Sequence, residues 1–443
     1  MDRVRDVAAK VLVAVKEHGA YANIALAEML NKNNFDEQER RFLTELVYGA
    51  VKAGESLDWI IQCYSKRPIE KMPPFIRAIL RLGIFQLFFL DCIPPSAVCN
   101  EATELTKKYG HTGTAKFVNA VLRSAVREPE RARMSENNSV ESLSFRLQHP
   151  AWLVRRWLDA FGREETERLC AFDNAPAVLS LRTNRLRINR EGLLDLLRNE
   201  GAEAYLSKWA PEGILCTEHN ALGKSDALRK GYFQIQDESS MQVAYVLDPK
   251  PGDFVIDMCS APGGKTTHIA ERMNNQGHIL ALDIYDGKLS RIRDNARRLG
   301  ISIIQTKCLD AREIGEKYSG QADCVLADVP CSGLGVLRRR PDARWRKNEK
   351  EIDKLPFLQK EILESAAKTV KPGGVVVYST CTIESRENEE VVHAFLEKHS
   401  DFQLEMTGAY LPLKPSQSRM VHFYPQRDGI DGFFIARLRK NGE

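Results

Sequence analysis

The stretch Phe254–Thr266 (FVIDMCSAPGGKT) is the segment from which the fold of this chain is best inferred. An apolar run of strand length ends at Asp257, a turn of small residues follows, and Lys265–Arg272 has the pattern of a helix. A strand, a tight glycine turn and a helix N-terminus form the element with which open α/β sheets hold nucleotide-like ligands. The stretch lacks the first glycine of a phosphate-binding G-x-x-x-x-G-K-[ST] loop, and Asp257 would repel a pyrophosphate. A cationic, adenosine-bearing ligand suits it better than ATP or GTP, and a ligand-free βα turn is the alternative at this point.

Length and composition limit the classes of protein to consider. A chain of 443 residues has room for roughly three domains. No apolar run is long enough to span a membrane, and no signal-peptide core follows the first residue. The 10 cysteines form no C-x-x-C pair, which argues against disulfides and a metal site and indicates free thiols in the cytoplasm. A net charge of +4 permits nucleic-acid binding without requiring it.

Residues 1–143 predict an all-α domain. Apolar residues recur there at helical spacing, and no strand pattern is present. Asp36 and Glu39 form a plausible capping box, and the polar run Glu128–Ser142 predicts a linker. The predicted helices include Val4–Glu17, one that starts at Pro73-Pro74, Ser96–Tyr109 and Thr112–Arg127.

Residues 144–238 predict a small α+β module. Helical periodicity and short runs of β-branched and aromatic residues alternate through this range. The predicted helices are Pro150–Phe161, Glu164–Phe172 and Asn189–Asn199, and the predicted strands are Val178–Arg182, Ile214–Thr217 and Tyr232–Gln236.

Residues 239–443 predict a Rossmann-like α/β domain, because strands there alternate with helices as in a parallel doubly wound sheet. Two extended stretches, Phe402–Glu405 and Gly432–Leu438, predict a terminal antiparallel hairpin. The predicted strands are 254–258, 278–282, 302–307, 323–328 and 374–379, and the predicted helices are 264–273, 286–299, 349–370 and 385–398. The predicted fold is therefore multidomain.

Four acids stand at the ends of successive predicted strands, where doubly wound sheets collect their ligands. Asp283 follows Asp257 by 26 residues, a spacing that suits a carboxylate accepting hydrogen bonds from ribose hydroxyls. Asp310, after the third strand, is placed to reach an adenine amino group, and Asp328 ends the fourth strand. Helix capping is the competing explanation, and it accounts less well for four acids at successive strand ends.

Two cysteines follow neighbouring predicted strands. Cys331 lies in the segment DVPCSG that begins at Asp328, and Cys381 lies in YSTCT. Cys381 comes just before a predicted helix, whose free N–H groups and dipole would lower a thiol pKa. A cysteine is usually a buried, inert residue, which is the alternative for each one alone. Two thiols and an acid at the same edge as the ligand loop favour covalent catalysis.

This set of groups matches the chemistry of methylation at cytosine C5. That carbon is too weak a nucleophile to attack a methyl donor directly. Addition of a thiolate to C6, with a proton delivered to N3, makes an enamine whose C5 can attack, and a base must then remove the C5 proton. The reaction needs one thiolate, one acid and one proton acceptor beside a sulfonium cofactor.

Three segments resemble the motifs of S-adenosylmethionine-dependent RNA 5-methylcytosine methyltransferases: Asp257–Thr266 (DMCSAPGGKT), Asp328–Gly333 (DVPCSG) and Ser379–Thr382 (STCT). In the helical part, Glu39–Gly49 (ERRFLTELVYG) is similar to the NusB antitermination fold. The combination resembles the bacterial RsmB (Sun/Fmu) branch of the RsmB/NOP family, whose members methylate a cytosine of 16S rRNA. The resemblance covers nearly the whole chain and is weakest over residues 145–235.

The resemblance implies a class I methyltransferase domain and a role for each motif residue. Cys381 would be the nucleophile, Cys331 would assist product release, and Asp328 would face the cytosine with Lys265 orienting it. DNA-methylating relatives use the cysteine of the Pro-Cys motif, so exchanged roles for the two thiols are the alternative. The implied contacts to S-adenosylmethionine are Cys259, Ser260 (where the family more often has alanine), Ala261, Pro262, Gly263, Gly264, Lys265, Asp283, Asp310 and Asp328, and no metal ligand is implied.

The segment Leu337–Lys347 (LRRRPDARWRK), directly after the Pro-Cys motif, predicts a basic approach for RNA. Its arginines would contact phosphates, and Trp345 would stack on an unpaired base. A solvated loop is the alternative.

Together these features predict a cytoplasmic, monomeric cytosine-C5 methyltransferase acting on a single-stranded or loop cytosine of 16S rRNA. Residues 1–143 would be a NusB-like RNA-binding domain, 144–238 a linking module and 239–443 the methyltransferase domain. Two alternatives stay open: a tRNA cytosine-C5 methyltransferase, and a non-catalytic RNA-binding antitermination or assembly factor.

Overall fold

The computed structural model describes residues 2–134, 139–217 and 225–442. Its contacts divide the chain into two compact units. The first unit, here called the helical unit, comprises Met1–Ala175 and Leu337–Glu349, and the second comprises Pro176–Val336 and Lys350–Glu443. The division into 1–143, 144–238 and 239–443 stays a prediction. No helix within the described ranges is both long and apolar enough to cross a bilayer.

The helices and strands are numbered in chain order. The helices are α1 Arg3–Glu17, α2 Ala22–Lys32, α3 Glu37–Ala53, α4 Glu55–Tyr64, α5 Pro74–Phe89, α6 Pro95–Tyr109, α7 Thr112–Arg127, α8 Val140–Leu147, α9 Ala151–Asn174, α10 Arg190–Asn199, α11 Asp226–Arg229, α12 Glu238–Leu247, α13 Gly264–Arg272, α14 Asp286–Leu299, α15 Ile314–Lys317, α16 Ala343–Arg346, α17 Glu349–Ile352, α18 Leu355–Thr369, α19 Glu389–Lys398 and α20 Pro425–Asp428. The strands are β1 Leu179–Thr183, β2 Ala204–Leu206, β3 Gly213–Cys216, β4 Phe233–Ile235, β5 Phe254–Asp257, β6 His278–Asp283, β7 Ile304–Cys308, β8 Ala322–Asp328, β9 Val370–Thr380, β10 Phe402–Leu404, β11 Met420–Phe423 and β12 Phe433–Lys440.

The helical unit is built from α1–α9 and α16, and its described residues contain no strand, as predicted. Asp36 caps α3 through the predicted capping box, since its side chain accepts from the N–H of Glu39 and the Glu39 side chain accepts in return. Apolar stripes of α1, α3, α5 and α7 meet in one core. Residues 135–138 of the predicted linker lie outside the described residues.

The segment Leu337–Glu349, here called the strap, packs within the helical unit. The guanidinium of Arg344 is fully buried and donates to the carbonyl oxygens of Gln148 (3.0 Å) and Asp173 (3.2 Å) and to Oδ1 of Asn174 (2.7 Å). The indole N–H of Trp345 donates to the carbonyl of Lys52 (3.1 Å). The prediction that Arg344 contacts a phosphate is therefore wrong, because its guanidinium is fully buried against protein groups. Stacking of the partly exposed Trp345 ring on a base stays a prediction.

The second unit begins with a small antiparallel sheet of order β2-β3-β1-β4, packed on α10 and α11. We call this part the middle module. Three of its strands match the predicted ones, and β2 was not predicted. The two helices predicted over Pro150–Phe161 and Glu164–Phe172 form α9, in which Gly162 (φ 75°) interrupts the helical geometry, and α9 belongs to the helical unit.

The large sheet of the second unit has the order β10-β12-β9-β8-β5-β6-β7, with β11 added on β12. Strands β7, β6, β5, β8 and β9 are parallel, and the terminal strands pair antiparallel, so the predicted doubly wound domain with an antiparallel end is confirmed. The predicted helix 349–370 is instead split into α17 and α18, because Pro356 fits only the first turn of a helix.

Candidate active site

The loop between β5 and α13 lies at the carboxyl end of the central strand. Both the N–H and the hydroxyl of Ser260 donate to the carbonyl of Leu282 on the neighbouring strand (2.8 and 2.7 Å). Gly263 has φ 98°, a conformation that favours glycine, and lies so close to Ile292 of α14 that a Cβ would be 3.2 Å from it. These contacts hold Cys259–Gly264 in a tight turn that leads into the N-terminus of α13.

Asp257 ends β5 beneath this loop and is fully buried. Its Oδ2 accepts from the hydroxyl of Thr266 (2.7 Å), while its Oδ1 has no hydrogen-bond partner. Burial raises the pKa of Asp257 to about 7, because a charged carboxylate is costly without water. A buried carboxyl oxygen without a partner fits a site that receives a donor or a cation from a ligand.

Asp283 and Asp310 stand at the ends of β6 and β7, as predicted. Asp283 accepts from the N–H of Tyr285 (2.9 Å). Asp310 holds the guanidinium of Arg312 with both carboxylate oxygens (3.1, 3.2 and 2.7 Å), and those hydrogen bonds lower the pKa of Asp310. Asp283 lies 3.8 Å from Lys288 Nζ, a looser ion pair than the one that holds Asp310 (2.7 Å). Within the described ranges, no three His, Cys, Asp or Glu side chains cluster as metal ligands.

Lys265, in the first turn of α13, forms an ion pair with Asp328 at the end of β8. Lys265 Nζ lies 2.7 Å from Asp328 Oδ2, and the hydroxyl of Ser379 donates to Asp328 Oδ1 (2.8 Å). Burial alone would lower the pKa of Lys265, but Asp328 and, to a smaller extent, Cys381 raise it above its ordinary value. Lys265 is thus cationic at neutral pH, and its charge acts on both the acid and the thiol.

The two predicted catalytic thiols are brought together. The sulfurs of Cys331 and Cys381 are 3.3 Å apart, although 50 residues separate them in the chain. The hydrogen bond to Cys381 and burial raise the pKa of the Cys331 thiol well above its ordinary value, and the charge of Glu387 adds to this effect. Cys331 is therefore a protonated thiol beside Cys381.

The predicted position of Cys381 at a helix N-terminus is wrong. Helix α19 begins at Glu389, eight residues after Cys381 (389 − 381), and a 3-10 turn spans Ser385–Glu387. The backbone of Asn388 (φ −113°, ψ −100°) is not helical and separates that turn from α19. The charge near Cys381 comes from Lys265 instead of a helix dipole.

Glu387 and Gln359 belong to the site and were not predicted. Both are fully buried, and Oε2 of Glu387 accepts from the N–H of Ser332 (2.8 Å) and from Nε2 of Gln359 (2.9 Å). Gln359 also donates to the carbonyl of Pro330 (3.0 Å). Two side chains far away in sequence thus hold the backbone on each side of Cys331. The sequence does show an acid six residues after Cys381, but this spacing alone does not indicate that the acid contacts the loop around Cys331.

Comparison with known families accounts for nearly the whole chain. Residues 244–439 match the family described as 16S rRNA methyltransferase RsmB/F, and residues 2–127 match the NusB family. Residues 149–222 match the ferredoxin-like domain of RsmF/B-like methyltransferases. The order of the three matches is that of the predicted helical, middle and methyltransferase parts.

Relatives and solved structures give the same result. The chain is 39% identical to the probable ribosomal RNA small subunit methyltransferase B of Bacillus subtilis (strain 168), over 99% of each chain. It is 33% identical to the ribosomal RNA small subunit methyltransferase B of Pectobacterium carotovorum, also over 99% of each. The crystal structure of PH0851 superposes with a TM-score of 0.85 at 30% identity, over 99% of each chain. That of NSun6 from Pyrococcus horikoshii with SFG has a TM-score of 0.60 at 28% identity, over 66% of this chain and 99% of that one.

These matches confirm the resemblance found in the three motifs. The chain belongs to the RsmB/F family of 16S rRNA methyltransferases, with a NusB domain and a ferredoxin-like domain.

Proposed function

We propose that this methyltransferase transfers a methyl group from S-adenosylmethionine to C5 of a cytosine in 16S rRNA, through a covalent bond between Cys381 and C6. The observation that carries the proposal is the pair of sulfurs 3.3 Å apart, next to the Lys265–Asp328 ion pair at the same strand ends. A methyltransferase that acts on an oxygen or an amine has no need of two thiols there, whereas C5 chemistry needs both a nucleophile and a group for product release.

The residues around the β5–α13 loop fit an adenosine-bearing cation. The small residues of the loop Cys259–Gly264 let a ligand approach the backbone closely. Asp283 is placed to accept hydrogen bonds from ribose hydroxyls, and Asp257 has a carboxyl oxygen without a hydrogen-bond partner. Asp310 would accept a hydrogen bond from the adenine amino group only if one of its carboxylate oxygens gave up its contact with Arg312. When bound, S-adenosylmethionine would supply an electrophilic methyl group. The SFG in the NSun6 structure is an analogue of this cofactor.

Electrostatics favours Cys381 as the nucleophile. The cationic Lys265 stabilises negative charge on Cys381, while Glu387 and the neighbouring sulfur disfavour it on Cys331. We assign to Cys381 the attack on C6, which forms a C–S bond and moves the C5–C6 electron pair towards N3. Asp328, held by Lys265 and Ser379, would face the edge of the cytosine. The neighbouring Lys265 ammonium would supply the proton that N3 takes up and would regain it when the adduct breaks down.

Product release then falls to Cys331. The largest cause of its raised pKa is its contact with Cys381, and that contact weakens once Cys381 is bonded to carbon. Cys331 then loses its own proton to solvent more easily, and the resulting thiolate acts as the base that takes the proton from C5. The C6–S bond breaks, and its electron pair returns to Cys381. The thiol that begins as a donor thus becomes a base after the adduct has formed.

The substrate is most simply an unpaired cytosine. Attack on C6 comes from above the ring, a direction that base stacking blocks in a helix, so the base must be in a loop or be turned out. The matches over nearly the full length to relatives called ribosomal RNA small subunit methyltransferase B favour rRNA over tRNA. All of the proposed groups lie in one chain, so we propose a monomer.

Single substitutions of the two cysteines test the mechanism. Cys381→Ala should abolish methyl transfer and leave binding of S-adenosylmethionine near normal, because the nucleophile is lost and the loop is intact. Cys331→Ala should trap a covalent protein–RNA adduct, seen as a slowly migrating band on a denaturing gel. Full turnover by Cys381→Ala would disprove the nucleophile assignment, and an adduct only with Cys381→Ala would exchange the two roles.

The RNA substrate is tested separately. Bisulfite sequencing of total RNA from a strain without the protein should show one 16S rRNA cytosine that has lost its methyl group. Loss confined to a tRNA would establish the alternative substrate.

A further inference from the structure

The middle module places a buried arginine against the helix of the cofactor loop. Arg182, on β1, has no exposed surface and donates to the carbonyl of Gly264 (2.6 Å) and to the hydroxyl of Thr267 (3.0 Å). Its guanidinium also pairs with both carboxylate oxygens of Glu271 (2.7 and 3.2 Å) and donates to Gln236. Every nitrogen of this guanidinium has a partner, and three of the four partner residues lie on α13.

A second buried contact joins the same two parts. Oε1 of Glu212, next to β3, lies 3.0 Å from Nε2 of His268 on α13, and its Oε2 accepts from the hydroxyl of Tyr245 (2.5 Å). Burial lowers the pKa of His268 to about 4, so the ring is neutral at pH 7 and packs against the Glu212 carboxylate as an uncharged group. Helix α13 is therefore held along its length by side chains from the middle module.

The contact to Gly264 does more than attach the module. An ion pair with Glu271 alone would fix β1 to the last turn of α13, whereas Gly264 is the first residue of the helix and directly follows the turn at Gly263. The free N–H groups of that first turn are the ones that face a ligand in such folds. The module also has an independent anchor, since Nδ2 of Asn184 donates to the carbonyl of Leu299 at the end of α14 (2.9 Å).

We propose that Arg182 is a positioning residue for the cofactor: by holding Gly264 and Thr267, it fixes the first turn of α13 in the orientation that binds S-adenosylmethionine. The middle module is then part of the cofactor site. This inference rests on the proposed use of S-adenosylmethionine.

The test removes the arginine with and without its charged partner. Arg182→Met alone leaves Glu271 buried without a counter-charge and should lower the melting temperature together with activity. The double variant Arg182→Met with Glu271→Met removes both charges and should recover most of the melting temperature. It should still raise the KM for S-adenosylmethionine at least about tenfold, with kcat changed far less, because one charged hydrogen bond to the loop is missing.

The matched control is Arg198→Met in α10 of the same module, whose guanidinium donates to the carbonyl of Ala204 within the module (3.0 Å). Its KM for the cofactor should equal that of the wild type. A double variant with normal stability and an unchanged KM would overturn the inference and leave Arg182 as a structural residue. A wild-type protein that neither binds S-adenosylmethionine in calorimetry nor transfers methyl groups would instead overturn the proposed function.

Discussion

The buried carboxyl group of Asp257 makes the stability of the protein depend on pH. An acid with no exposed surface, one hydrogen bond and one oxygen without a partner is costly to ionise. Its pKa of about 7, against an ordinary 3.8, means that the folded protein binds a proton more tightly than the unfolded chain across that interval. The contribution of Asp257 to the free energy of unfolding is therefore fully present below pH 3.8 and is lost as the pH rises through about 7.

Asp257→Asn should remove this pH dependence. Between pH 4 and pH 8 the wild type should lose roughly 4 kcal/mol of unfolding free energy relative to the variant, since each pKa unit is worth about 1.4 kcal/mol. Urea unfolding of both proteins at four pH values in this range measures the difference. Parallel curves of stability against pH would contradict the raised pKa.

At the scale of elements, local pattern predicted the helices and the parallel strands but missed elements without a pattern. Helix α12 was missed because nine of its ten residues are buried, so no apolar stripe distinguishes one face. Strands β2 and β11, which are three and four residues long, were not predicted either. The positions of Asp283, Asp328, Cys331 and Cys381 followed from the rule that parallel strands end at one edge. The partners Glu387 and Arg182 did not follow, since their contacts with Ser332 and Gly264 join residues 55 and 82 positions apart.

The 3-10 turn before α19 positions the loop around Cys331, because its residue Glu387 accepts from the N–H of Ser332. Glu387→Ala leaves the N–H of Ser332 buried without a partner and should lower the methyl-transfer rate about tenfold or more, with cofactor affinity unchanged. Glu387→Gln keeps an acceptor but removes the charge that helps to raise the pKa of Cys331, so release of the RNA adduct should become faster at lower pH. Single-turnover kinetics across pH 6–9 measure both effects.

Glu390→Gln, on the exposed side of α19, is the control and should match the wild type. A pH profile of Glu387→Gln identical to that of the wild type would leave Glu387 with a purely structural role.

At the scale of the molecule, the strap makes the helical unit discontinuous in sequence. Arg344 is buried near Asp173, whose side chain is also fully buried and has both carboxylate oxygens without hydrogen bonds. Arg344→Met should therefore destabilise this unit by about 3–5 kcal/mol, because it removes the positive charge that compensates a buried carboxylate. Hydrogen exchange should show faster exchange in residues 2–175, with little change in β5–β9.

The double variant Arg344→Met with Asp173→Asn should recover most of the protection, since no uncompensated charge remains. Loss of protection only in the second unit would contradict the assignment of the strap to the helical unit.

The strap also has a consequence for the order of events during synthesis. The first 175 residues leave the ribosome early, yet the piece that fills the space beside His149 and Asp173 follows 174 residues later (349 − 175). At about 5–20 residues per second, this delay is roughly 9–35 s. For that time the carbonyls of Gln148 and Asp173 lack the guanidinium that binds them in the folded chain, and Arg344 is made only after β5, its loop and most of the parallel strands.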